Sequence, residues 1–175
     1  MSSARAEELK AALHLEVLAG ESGWWRLLRE SAVPVTVADG GRLPASNTIH
    51  FLLSPDRPVN IWHLLASDDV HVLVEGGPVE YVVLPPSGPA RREVLTVGGD
   101  RVVTVPAGEW TAVHLLDPDG YAWVVSTVTP AWTEARAVIG LPVSERARWL
   151  DAEPWLTASL LDALNDPSER DARDR

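Results

Sequence analysis

The chain has 175 residues, 46% of them hydrophobic and 23% charged, with 15 basic residues against 25 acidic ones and a formal charge of −10. That length suits one domain, and with no cysteine the chain can form no disulfide, thiolate metal site or cysteine nucleophile. The acidity leaves no basic stripe for a phosphate backbone, and no apolar run approaches the ~18 residues that span a bilayer. The first residues, MSSARAEELKAAL, read as an amphipathic helix and not as a signal peptide. These features lead to the expectation of a cytoplasmic protein without nucleic-acid or membrane partners. Residues 1–165 are expected to form one domain, and the charged stretch 166–175 a frayed tail. Eight tryptophans against one phenylalanine is an unusual aromatic balance, and Lys10 is the only lysine.

From about Ala4 to Leu18, Leu9, Leu13 and Val17 recur every four residues, a helical stripe that Gly20 and Gly23 should end. The pattern then changes to short apolar or alternating runs: Trp24–Arg29, Thr48–Leu53, Val59–Leu64, Val70–Val74, Val79–Leu84, Arg92–Val97, Arg101–Val105, Thr111–Leu116 and Tyr121–Val128. Between them stand turn formers such as Asp39-Gly40-Gly41, Gly76-Gly77-Pro78, Gly98-Gly99-Asp100 and Asp117-Pro118-Asp119-Gly120. About nine strands with this punctuation predict an all-β antiparallel barrel or sandwich. Helical spacing returns at Arg146–Leu150 and Leu156–Leu164, so the barrel carries an N-terminal helix and C-terminal helices.

Histidine is the usual acid–base group near neutral pH and the commonest metal ligand. His63 closes one strand, and Asp69 and His71 open the next two positions apart, hence on one face. A hairpin there brings His63 toward Asp69 and His71. Those three could form a proton-transfer pair with an orienting acid, ligate a divalent metal, or simply be a solvated hairpin end. Alternation places Ser46, Thr48 and His50 on one strand face, which either lines an interior pocket or meets solvent. His114 lies on the face opposite Thr111 and is expected to be structural or at an interface, and His14 is expected on the surface. Trp24, Trp25, Trp62, Trp110, Trp123 and Trp132 fall on or beside strands, where they would fill the core or wall a pocket for a flat apolar ligand. Trp149 and Trp155 should pack the C-terminal helices on the barrel.

Several of these segments resemble a family. Gly23-Trp24-Trp25-Arg26, Ile49-His50-Phe51-Leu52-Leu53, Trp62-His63, Ser67-Asp68-Asp69, Val105-Pro106-Ala107-Gly108-Glu109-Trp110-Thr111 and Thr127-Val128-Thr129-Pro130-Ala131-Trp132 follow, in order, the pattern of a small bacterial cupin family of formerly unknown function. His63, Leu65, Asp69 and Gly76 keep the spacing of the first cupin motif, and Pro106, Gly108 and Thr111 that of the second. The resemblance covers about residues 5–140. It implies a jelly roll (double-stranded β-helix) of two facing sheets, often dimeric, with a pocket inside. Of the four cupin metal positions only His63 is unchanged: Leu65 replaces a histidine, Asp69 is one methylene shorter than the usual acid, and Thr111 stands at the last histidine.

The resemblance therefore suggests a cupin-fold enzyme acting on a small hydrophobic or aromatic metabolite by cofactor-free acid–base chemistry. Isomerisation, epimerisation or cyclisation in bacterial specialised metabolism fits such a site. His63, Asp69 and His71 would carry the chemistry, and His50, Thr111, Trp62, Trp110 and Trp123 would bind substrate. The alternatives are a non-catalytic small-molecule binder and a metal-dependent oxygenase using His63, Asp69 and His71 as ligands to a divalent metal. A homodimer is expected in each case.

Overall fold

The computed structural model describes residues 2–38, 40–150 and 152–165. The expected tail, 166–175, and Asp39 of the first glycine turn lie outside the described residues. Helix α1 (Ser2–Ala12) opens the chain, followed by strands β1 (Glu16–Val17), β2 (Trp24–Glu30), β3 (Pro34–Thr36), β4 (Arg42–Pro44), β5 (Asn47–Leu53), β6 (Val59–Leu65) and β7 (Asp68–Gly76). Then come β8 (Val79–Leu84), β9 (Arg91–Leu95), β10 (Val102–Val105), β11 (Trp110–Leu115), β12 (Ala122–Thr129), a short 3₁₀ turn (Glu134–Arg136), β13 (Ala137–Ile139), α2 (Val143–Leu150) and α3 (Ala158–Ala163).

Two antiparallel sheets face each other. One has the order β1-β2-β5-β12-β7-β10 and the other β13-β6-β11-β8-β9, with β3-β4 as a separate hairpin. The eight strands β5 to β12 divide four and four between the sheets in the jelly-roll manner, crossing from one sheet to the other at every step except the β8–β9 hairpin. Between the sheets lies one core, which includes Phe51, Leu53, Leu73, Val83, Val113 and Val124. A second core sits on the outer face of the five-stranded sheet, where Trp62, Val82, Trp110 and Ala112 pack under Leu141, Trp149, Leu156, Leu161 and Leu164. That cover explains why β8 and β11 are buried at every position: a strand enclosed on both faces reads as a continuous apolar run. β7 and β12 are covered on one face only, and they alternate.

α1 is shorter than its periodicity predicts. His14 adopts a left-handed φ of 51°, with hydrogen bonds from His14 N to Ala11 O (3.2 Å) and from Leu15 N to Lys10 O (2.9 Å). This pair is the Schellman closure, made with histidine in place of the usual glycine. Val17 therefore belongs to β1. A bidentate ion pair from Arg5 to Glu75 ties α1 to the end of β7, at 2.8 and 3.1 Å, and Tyr121 Oη donates to the same carboxylate at 2.6 Å.

Candidate functional site

At one end of the space between the sheets is a pocket of about 110 Å³. Its walls are largely apolar, with Leu18, Trp25, Ile49, Phe51 and Trp132 prominent, and its polar end holds His63, Asp69, His71 and Ser126. β7 supplies Asp69 and His71 from its inward face, in register with Val128 and Ser126 of β12. β6 supplies His63, opposite Thr111 of β11.

A β-bulge shapes the β6 wall. Its register with β11 runs Thr111↔His63 and then Val113↔Asn60, so two residues, Ile61 and Trp62, stand opposite Ala112. His63 and Asn60 thus both line the pocket although three positions apart, where alternation would have set them on opposite faces. Asn60 is buried and donates both amide hydrogens, to Glu21 O (3.1 Å) and Ser22 O (3.2 Å). Ile61 N also donates to Glu21 O (2.8 Å). These bonds pin Glu21 at the pocket.

The polar end is a chain of buried hydrogen bonds. Ser126 Oγ donates to Asp69 Oδ1 (2.6 Å), Asp69 Oδ2 meets His71 Nε2 (2.7 Å), and His71 Nδ1 meets Tyr81 Oη (2.9 Å). All four residues are buried. Burial raises the Asp69 carboxyl, but the His71 charge and hydrogen bond, the Ser126 hydroxyl and the nearby His63 outweigh it, and the net pKa is lowered. Tyr81 is pushed well above its ordinary value, first by burial and then by Asp69, so it stays a phenol. With Tyr81 O–H donating to Nδ1, a neutral His71 carries its proton on Nε2, toward Asp69.

His63 is held differently. Its Nδ1 donates to the Ile61 carbonyl (2.9 Å), which fixes the tautomer with the lone pair on Nε2. Nε2 has no hydrogen-bond partner among the described residues. Thr111 faces the interior beside it, donates weakly to Val82 O (3.4 Å), and shares with His63, Asp69 and Glu109 a narrow cleft behind the pocket.

The expected trio of His63, Asp69 and His71 is therefore brought together, with roles more distinct than spacing implied. Expected substrate residues are distributed otherwise. His50 and Trp123 lie on the outer face of the six-stranded sheet and contact each other (Trp123 Nε1 to His50 Nδ1, 3.3 Å), because Asn47, Ile49 and Phe51 are the β5 residues that line the pocket. Burial and the neighbouring Arg26 push the His50 pKa down. Trp62 and Trp110 are in the outer core, with Trp62 Nε1 donating to Leu161 O at 3.2 Å. His114 also faces outward and pairs with Glu80 (2.9 Å) beneath the Arg92 guanidinium, a structural network. Sequence reasoning did not single out Ser126, Tyr81, Asn60 or Glu21. Ser126 and Tyr81 did leave a signal: each is a polar residue on an otherwise apolar inward face, between Val124 and Val128 and between Val79 and Val83.

The residues do not fit a metal. Both oxygens of Asp69 and both ring nitrogens of His71 are committed to one another and to Ser126 and Tyr81. Among the described residues no group of three His, Cys, Asp or Glu side chains is placed to hold an ion. The side chains of the expected ligand set, His63, Asp69 and His71, are thus arranged for hydrogen bonding to one another and to their neighbours and not around a common centre. No helix among the described residues is long and apolar enough to cross a membrane.

Comparison with solved structures recovers the same architecture. A hypothetical protein from Leishmania major superposes with a TM-score of 0.76 at 23% identity, covering 91% of this chain and 97% of that one. A protein from Shewanella oneidensis gives 0.75 at 20%, covering 92% and 97%. Oxalate decarboxylase from Bacillus subtilis gives 0.52 at 15%, covering 87% of this chain and 37% of that one. At these identities the likeness is one of fold. No curated protein matches the chain. The family model described as "Cupin superfamily (DUF985)" matches residues 7–138, and the chain belongs to that cupin family.

Proposed function

We propose that the pocket binds a small, largely apolar molecule and that His63 acts on it as a general base, without a cofactor, in an isomerase-type proton shift. The observation that carries this reading is the His63 ring itself: Nδ1–H is donated to the Ile61 carbonyl, and the unpartnered Nε2 is left at the pocket. A base needs a free lone pair, a fixed orientation and a way to bear the proton it takes. The Asp69 carboxylate, close enough to feel His63 electrostatically, stabilises the imidazolium. Ser126, His71 and Tyr81 hold that carboxylate in place.

His71 is a positioning residue in this scheme, since both its nitrogens are engaged. One base supports a shift in which His63 Nε2 removes a proton from carbon and returns it to another carbon on the same face of the substrate. Epimerisation, which needs a second acid on the opposite face, is the weaker reading. The narrowing from a two-histidine relay to a single base follows from the hydrogen bonds on His71.

The test is solvent exchange. Small aryl and alkyl ketones and their β,γ-unsaturated analogues are incubated with the protein in D₂O and followed by NMR. Wild type should accelerate deuterium entry at the acidic carbon, and His63→Gln should lose a factor of about 10²–10⁴. Exchange undiminished in His63→Gln would refute the assignment. Pocket binding without exchange by any compound would favour the alternative, a non-catalytic binder, which the apolar walls also suit.

A further inference from the structure

The hydrogen-bonding capacity left over in the pocket is lopsided. Asn60 spends both amide hydrogens on the carbonyls of Glu21 and Ser22, so the atom it has left for a ligand is Oδ1, an acceptor. His63 offers Nε2, also an acceptor. The Glu21 carboxylate has no hydrogen-bond partner among the described residues, and Glu21 is pinned at the pocket through its carbonyl by Asn60 and Ile61. The Ser126 hydroxyl already donates its hydrogen bond to Asp69. Among the described residues no lysine or arginine lines the pocket, while two carboxylate residues, Glu21 and Asp69, do. Two tryptophans, Trp25 and Trp132, stand among the walls, and the face of an indole attracts cations.

From this balance we infer that the ligand class of the pocket is a small apolar molecule bearing a protonated amine, with its N–H groups directed to Glu21 and Asn60 Oδ1. A carboxylate or phosphate ligand would meet acceptors with acceptors and carboxylate with carboxylate, and among the described residues it would find no lysine or arginine to offset the cost of leaving water. An ammonium ion donates three hydrogen bonds and accepts none, which is the complement of what the site presents. The inference rests on the pocket being the binding site, as proposed above, but not on any proton transfer occurring there. The β6 bulge is the element that builds it, because it turns the Asn60 side chain inward and thereby fixes Glu21.

Three probes of nearly equal shape separate charge from size: phenethylamine, phenethyl alcohol and hydrocinnamate, titrated by calorimetry at neutral pH and again in high salt. The amine should bind at least about tenfold more tightly than the alcohol, and hydrocinnamate more weakly than either. Glu21→Gln should remove most of the amine's advantage while leaving the alcohol's affinity in place, with circular dichroism confirming the fold. Equal affinities for amine and alcohol, preference for hydrocinnamate, or an amine preference that survives Glu21→Gln would each overturn the inference. So would a divalent ion such as Zn²⁺ that binds in a Glu21-dependent way and expels the amine. If the amine preference holds and the deuterium exchange above is absent, the proton-transfer reading fails alone. If none of the three probes binds, the pocket reading and this inference fall together.

Discussion

Removing the Asp69 carboxylate tests whether the buried chain from Ser126 to Tyr81 is a single polar unit whose charge resides on Asp69. In Asp69→Ala, the Ser126 hydroxyl and His71 Nε2–H, now 2.6 and 2.7 Å from carboxylate oxygens, both lose their acceptor. Each buried donor left without an acceptor costs about 1–3 kcal/mol, so the pair together costs about 4 kcal/mol. Asp69→Asn is gentler. The amide oxygen can accept from Ser126 while its N–H donates to His71 Nε2, provided His71 moves its proton to Nδ1 and Tyr81 becomes an acceptor. The Tyr81 hydroxyl hydrogen is then stranded, at a cost of about 1–3 kcal/mol, and the second amide hydrogen, on a residue that lines the pocket, can be met by water there. Urea unfolding followed by tryptophan fluorescence, with a slope of about 2 kcal/mol per M, should place the alanine midpoint below the asparagine midpoint by about 1 M. The pH dependence adds an independent check. Asp69 in the folded protein is held below its ordinary value of 3.8, so its contribution is full above that value and is lost as pH falls through the lower folded value. Asp56, Glu75 and Glu80 are also held low, but they are common to both proteins and cancel in the difference. The stability gap between wild type and Asp69→Asn should therefore be constant from pH 7 to about pH 5 and close only in stronger acid. An alanine variant no less stable than asparagine, or a gap that is unchanged into strong acid, would refute the reasoning.

Three further perturbations test other parts of the structure. The Glu75 carboxyl is lowered to about 2, chiefly by the Arg5 hydrogen bonds and then by Tyr121; Arg5→Ala should raise it toward the ordinary range in a carboxyl-carbon NMR titration, and an unmoved titration would show that α1 is not latched there. Thr157 caps α3 through Oγ1, which accepts from Leu160 N at 3.2 Å. Thr157→Ala should therefore cost about 1 kcal/mol and lower the melting midpoint by about 2–4 °C, whereas an unchanged midpoint would mean that the cap contributes nothing. Gly20 and Gly76 have nearly the same φ, 86° and 85°, but an added Cβ at Gly20 meets open space and at Gly76 collides with the Tyr121 carbonyl oxygen. Gly20→Ala should cost about 1–2 kcal/mol from backbone strain alone, Gly76→Ala clearly more, and equal losses in thermal unfolding would contradict the packing at Gly76.

All nine strands that periodicity marks out are present, because the turn formers between them leave no other way to satisfy the backbone. What alternation does not specify is which face of a strand looks inward. In β5 the even-numbered residues, His50 among them, face outward, and in β12 Trp123 does the same. Trp62 and Trp110 misled for another reason. The five-stranded sheet is covered on its outer face by the segment carrying α2 and α3, so an aromatic residue there is fully buried without approaching the pocket. The short strands β3, β4 and β13, three residues each, are too brief to show a period. Asp69 and His71, two apart on one strand, were legible as a pair. Their partners Ser126 and Tyr81 come from strands 57 and 10 residues away in sequence, and only the jelly-roll register brings them together.

Asn60 was illegible for the most specific reason, and it explains why the site exists where it does. With strict alternation from His63, Ile61 and Val59 would face the pocket, and Asn60 would lie with Trp62 under the C-terminal segment. A buried amide there would lie among apolar residues such as Leu161 and Leu164, at a cost of roughly 1–3 kcal/mol if it found no partner. The bulge removes that conflict. It lets Trp62 and Val59 join the outer core while Asn60 and His63 both reach the pocket. It also leaves the Ile61 carbonyl free to take the His63 Nδ1 hydrogen, and the Ile61 amide free to hold Glu21. One extra residue in β6 thus sets the tautomer of His63, aims the acceptor amide and anchors the Glu21 backbone at the pocket. Deleting Ile61 would restore a regular ladder, but it would remove the carbonyl that orients His63. By this argument the irregularity in the strand cannot be separated from the chemistry assigned to it.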